Sequence, residues 1–114
     1  MAKTWVGFDL DGTLAYYDTW KGIDVIGPPI PLMVLKVKSL IKLGINVKIM
    51  TARVASNQKP EDITRATTAI EKWCEEYIGQ KLPVTAEKDL YMTELYDDRA
   101  VTVEFNTGRI MGTY

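Results

Sequence analysis

The chain has 114 residues, 46% of them hydrophobic and 25% charged, and a net charge of −1. That is the size and make-up of one globular domain over 1–114, and its near-neutral balance argues against a dedicated nucleic-acid binder, though not against a local basic patch. A lone cysteine excludes an intrachain disulfide and a thiolate metal cluster, while the absence of histidine leaves acid–base work to carboxylates, Lys or Tyr and removes the commonest Zn²⁺ ligand.

Thr4 to Leu10 predicts a buried strand that ends in Asp9-Leu10-Asp11-Gly12-Thr13-Leu14. Ala15 to Ile26 is rich in Tyr, Trp, Ile and Val around Lys21-Gly22 and predicts a small hairpin or flap. Gly27-Pro28-Pro29-Ile30-Pro31 interrupts helix and sheet alike. From Leu32 to Leu43 an apolar spacing at Leu32, Leu35, Leu40 and Leu43 predicts a helix that stops at Gly44. Ile45 to Met50 alternates into Thr51 as a second strand.

Pro60 suits the first position of a helix running to about Tyr77, with Glu61 and Asp62 in its first turn and Ile63, Ala66, Ile70, Trp73 and Tyr77 on one stripe. Leu82 to Ala86 and Met92 to Tyr96 predict a third and a fourth strand, and Val101 to Phe105 with Asn106-Thr107-Gly108 predicts a C-terminal β-hairpin. The expected fold is therefore α/β, a Rossmann-like parallel sheet flanked by helices. In such sheets ligands sit beyond the carboxyl ends of the strands, where each residue of chemical interest falls. Met1-Ala2-Lys3-Thr4 lacks the apolar stretch of a signal peptide and no run reaches membrane-spanning length, so the expected location is cytoplasmic, with no membrane partner.

Asp9 and Asp11 bring like charges together at a strand end, an arrangement that calls for a bound cation or a shared proton. Gly12 and Thr13 offer backbone donors for an anion. Thr51 closes the second strand, where its hydroxyl can meet the same cleft or simply cap a helix. Arg53 can fork onto phosphate oxygens or be a solvated surface charge. Asp97-Asp98 is a second acid pair at a strand end, and carboxylates converging with water and phosphate are the ligands Mg²⁺ prefers. Lys88 can neutralise phosphate and carboxylate charge, with Lys59, Lys81 and Arg99 competing for that role.

Asp9-Leu10-Asp11-Gly12-Thr13-Leu14, then Thr51, then Lys88, then Asp97-Asp98, resembles the four ordered motifs of the haloacid dehalogenase (HAD) superfamily. Thr51-x-Arg53 with Asp97-Asp98-Arg99 also looks somewhat like the phosphatase domain of polynucleotide kinase–phosphatases. The resemblance implies a Mg²⁺-dependent phosphomonoester hydrolase that works through an aspartyl-phosphate. Asp9 would be the nucleophile and Asp11 the acid–base. Thr51 and Lys88 would hold the transferring phosphoryl group, and Asp9, the Asp11 carbonyl, Asp97 and Asp98 would hold Mg²⁺.

Many relatives insert a cap domain, for which this chain has no room. The site is then open to a bulky ester, such as a phosphorylated small molecule or a nucleic-acid end, or is covered by another copy in a homo-oligomer. Tyr16, Tyr17 and Trp20 could stack on a base or sugar, pack the flap onto the body, or form a subunit contact. Two rivals remain. A catalytically idle binding or structural subunit would keep the fold without turnover. A receiver-like phosphorylation switch would need its acceptor Asp alone on a middle strand, and Met50-Thr51 carries none.

Overall fold

The computed structural model describes residues 3–112. Strand β1 (Trp5–Asp9) is the first element, and its first four residues are buried, as expected for an aromatic and β-branched run in the middle of a sheet. Helix α1 (Pro31–Lys42), strand β2 (Val47–Met50), a 3₁₀ turn (Ala52–Val54), helix α2 (Pro60–Tyr77), and strands β3 (Val84–Thr85) and β4 (Met92–Tyr96) follow. The four strands form one sheet in the order β3-β2-β1-β4, with every pair parallel. The α/β expectation holds at that level.

Both helices feed one core. Val6 and Phe8 of β1 and Val47 and Ile49 of β2 meet Val34, Val37 and Leu40 of α1 and Ile70, Trp73 and Cys74 of α2. Strand residues two apart share a face, so both helices cover the same side of the sheet. The other side is covered without a helix. There Trp5 is buried, its indole donates to Asp89 Oδ1 (2.9 Å) on the β3–β4 connection, and Lys48 Nζ sits 4.6 Å over its ring. The segment between Thr85 and Met92 is too short to carry a third helix.

Three sequence expectations are corrected. Helix α1 buries Val34, Val37 and Leu40, whereas Leu32, Leu35 and Leu43 are exposed at 77%, 61% and 75%. The helix places Met33, Val34, Val37, Leu40 and Ile41 on one face and Leu32, Leu35 and Leu43 on the other, among Lys36, Lys38, Ser39 and Lys42. Its rotation is set upstream, where the Ile30 amide donates to the Leu14 carbonyl (2.7 Å) and seats the helix start beside the turn after β1. The predicted flap from Ala15 to Ile26 contains no strand, and only Ala15 makes bridges, to Asp11 and Pro29. Side chains from the body hold it where a ladder was expected. Arg53 reaches the carbonyls of Gly22 and Ile23, Arg65 of α2 pairs with Asp24 (3.0 Å), and Trp73 of α2 donates to Gly27 O (2.9 Å).

The C-terminal hairpin shrinks to a single bridge between Val103 and Ile110. Its alternating apolar residues have nothing to pack on, and Val101, Val103, Phe105 and Ile110 all stay exposed. Helix α2, by contrast, buries the expected stripe through Ala66, Ile70 and Trp73, adding Cys74. Among the described residues no helix is long and apolar enough to cross a membrane.

Candidate active site

Register builds the site. Asp9 lies opposite Met50, and Phe8 opposite Tyr96, so the carboxyl ends of β1, β2 and β4 finish side by side. The Phe8 and Tyr96 rings stack at 4.5 Å and brace the β1–β4 pair directly below the acids.

After Asp9 the chain closes a tight turn. The amides of Thr13, Leu14 and Ala15 all point at Leu10 O (3.3, 3.0 and 2.9 Å), and the Gly12 amide donates to Ala15 O (2.8 Å). The Gly12 and Thr13 amides expected to receive an anion are thus engaged inside the turn. Both residues serve the site differently. Gly12 has φ +87°, and a Cβ there would lie 2.6 Å from Asp98 Oδ2, so a side chain would displace that carboxylate. The buried Thr13 hydroxyl is placed between the two strand ends. It accepts from the Asp98 amide (3.0 Å), and its proton lies within reach of Asp98 Oδ1 (3.3 Å) and Asp9 Oδ2 (3.4 Å).

Carboxylate oxygens of Asp9, Asp97 and Asp98 all lie within 4.8 Å of one another. Among the described residues none of the ion pairs involves these three. Asp9 responds: burial, then a hydrogen bond with Asp98, then the charges of Asp97 and Asp98 push its carboxyl up to about 7, against a hydrogen bond from the Leu10 amide. A group of hard oxygens with unbalanced negative charge suits Mg²⁺, which takes few carboxylates and completes its shell with water and phosphate. The donor set fits that ion.

Asp11 points elsewhere. Its two oxygens receive Arg53 Nε (2.8 Å) and Nη2 (3.0 Å) in a bidentate pair. Arg53 is only 4% exposed, its guanidinium lies 4.8 Å from the Trp20 ring, and its amide donates to Thr51 Oγ1 (3.2 Å). Thr51 is buried at the end of β2, and among the described residues its hydroxyl proton has no acceptor.

A cavity of about 490 Å³ opens over these groups, lined by Asp9, Asp11, Thr51, Arg53 and Asp97 together with Tyr17, Trp20 and Arg99. Lys88 is exposed on the β3–β4 connection and does not line it, and neither do Lys59 and Lys81. Arg99 is the competing cation at the rim, and among the described residues its side chain pairs with no carboxylate. Gln58, also in the wall, was not foreseen. Its only signal is its place in the loop that follows β2, and sequence spacing does not fix where such a loop folds back.

Compared with known proteins, the chain matches no family model, no curated protein and no solved structure.

Proposed function

We propose that the protein is a Mg²⁺-dependent phosphomonoester hydrolase of the HAD type, acting through an aspartyl-phosphate. The observation that carries this reading is the convergence of Asp9, Asp97 and Asp98 at the neighbouring ends of β1 and β4, with the Thr51 hydroxyl proton uncommitted at the end of β2 on the same wall. Asp9, the Asp11 carbonyl, Asp97 and Asp98 would hold the ion. When bound it would ionise Asp9 and offset charge on the phosphoryl oxygens.

An Asp9 oxygen attacks phosphorus, forming the acyl-phosphate bond as the ester P–O bond breaks. The Asp11 carboxyl gives its proton to the departing alkoxide, then takes one from the water that cleaves the acyl phosphate. Thr51 and Arg99 are the donors on this wall best suited to the equatorial oxygens. Lys88, exposed and away from the cavity, would have to move to share that role. Tyr17 and Trp20 are 39% and 54% exposed at the mouth, where Trp20 also lies over the Arg53 guanidinium. Flat faces beside a phosphate site favour an ester with an aromatic portion, a nucleotide or a nucleic-acid end, and among the described residues no cap covers the mouth. A chain with one buried thiol fits a reducing, cytoplasmic setting.

The test is release of phosphate from para-nitrophenyl phosphate with and without Mg²⁺. We expect metal-dependent turnover that Asp9→Asn lowers by at least roughly 10³-fold, with the thermal unfolding transition retained. If Asp9→Asn keeps most of the activity, Asp9 is not the nucleophile and the aspartyl-phosphate mechanism is wrong; if Mg²⁺ elicits no activity with any ester tried, the idle-subunit reading prevails.

A further inference from the structure

We propose that Arg53 is a positioning residue that latches the flap to Asp11, and that it is not a ligand for substrate phosphate. The role assigned to Asp11 in proton transfer rests on the phosphatase reading, but the latch itself does not.

Donor arithmetic carries the inference. A guanidinium has five N–H donors. In Arg53, Nε and Nη2 take the two oxygens of Asp11 (2.8 and 3.0 Å), and Nη1 takes the carbonyls of Gly22 and Ile23 (2.8 Å each). Four of the five donors are therefore engaged, and the Trp20 ring lies against the group at 4.8 Å. With 4% exposure, the side chain has little left to offer a phosphate.

The same four bonds join Asp11 to the middle of the flap, which β-bridges hold only at Ala15. Gly22 and Ile23 belong to a flap without regular structure, while Asp11 belongs to the turn after β1. Breaking either end leaves a buried cation half-satisfied, so each end stabilises the other. Flap position and Asp11 orientation are then one variable.

The Lys21–Gly22 bond reports the latch directly, because Lys21 is exposed and Gly22 supplies a latched carbonyl. Trypsin cleavage at that bond, followed by mass spectrometry, should be at least tenfold faster in Arg53→Met than in the unaltered chain. Asp11→Asn should accelerate it severalfold, although Asp11 touches no atom of the cleaved bond. The double variant should be no faster than Arg53→Met alone. Arg53→Lys keeps the buried charge but cannot form the fork, and covers the case in which Arg53→Met does not fold. With para-nitrophenyl phosphate, Arg53→Lys should lower kcat at least 30-fold while KM stays within threefold. A rise in KM with kcat preserved would make Arg53 a phosphate ligand and overturn the proposal. So would Asp11→Asn that leaves the cleavage rate unchanged. The cleavage assay needs no turnover, so the latch stands or falls on it even if the phosphatase reading fails.

Discussion

Two strand ends supply the acids of this site, and they are built to different standards. Beyond β1 the chain is locked: Leu10, Leu14 and Ala15 are fully buried, and four amides of the turn are spent within it. Beyond β4 it is looser, because Asp98, Arg99 and Ala100 are exposed and the segment after them is held by one bridge and the exposed Arg109–Glu104 ion pair. Asp98 is tied back chiefly by its amide on the Thr13 hydroxyl. The nucleophile candidate therefore stands on rigid core, while two of the carboxylates that would share a cation stand on chain that can adjust to it. Precision is placed where a bond would form, and compliance where an ion would be gripped.

The comparison breaks most directly through stability. Leu14→Ala should cost about 2–5 kcal/mol, because it empties a fully buried site of the core. Ile110→Ala, at a position 56% exposed, should stay within about 0.5 kcal/mol. Urea denaturation of both variants checks this, and similar losses would mean that the C-terminal segment is as much a part of the core as the turn.

A second contrast isolates the acid cluster. Gly12 and Gly108 both have positive φ, +87° and +80°, so an alanine meets similar backbone strain at either. Only at Gly12 would its Cβ also meet Asp98, since nothing lies within 4 Å at Gly108. Gly12→Ala should reduce Mg²⁺-dependent phosphatase activity by roughly 100-fold, the scale of an ångström-sized misplacement, and Gly108→Ala by less than about twofold. Equal losses would show that backbone strain, not access for Asp98, is what Gly12 is for.

The sequence carried this much because strand ends are local signals. Asp9, Thr51 and Asp97 each follow an apolar run, and parallel pairing brings such ends together without further instruction. The stripe of α2 was legible from its apolar spacing, whereas in α1 the spacing counted from Leu32 and Leu35 picks the side that carries Lys36, Lys38, Ser39 and Lys42, and the core takes Val34, Val37 and Leu40. What spacing could not convey was which partner each charge takes. Arg53 is 42 positions from Asp11 and 31 from Gly22, and only the fold shows that it serves both. Lys88 matched by order along the chain, and order does not decide on which side of the sheet edge a loop residue emerges.

The smallest effect concerns protons. Asp9, raised from 3.8 to about 7, binds its proton more tightly in the folded chain than in the unfolded one. The stability gained from that proton is complete below pH 3.8 and is lost as pH rises through 7. Asp18, Asp24, Asp89 and Glu104 are shifted the other way, each lowered first by a side-chain hydrogen bond, from Lys21, Arg65, Trp5 and Arg109 respectively. Their effects fall in the acid range, below their ordinary values. The window from pH 5 to 8 is therefore dominated by the cluster. In chelator the melting temperature should fall by a few degrees across that window, and Asp9→Asn should flatten the slope. Mg²⁺ competes with protons for the same oxygens, so its stabilisation should be greater at pH 8 than at pH 5. Calorimetric melts at the two pH values, each with and without the ion, measure all of this. A melting temperature that rises toward pH 8 in chelator would mean that the three carboxylates repel one another too weakly to need a cation.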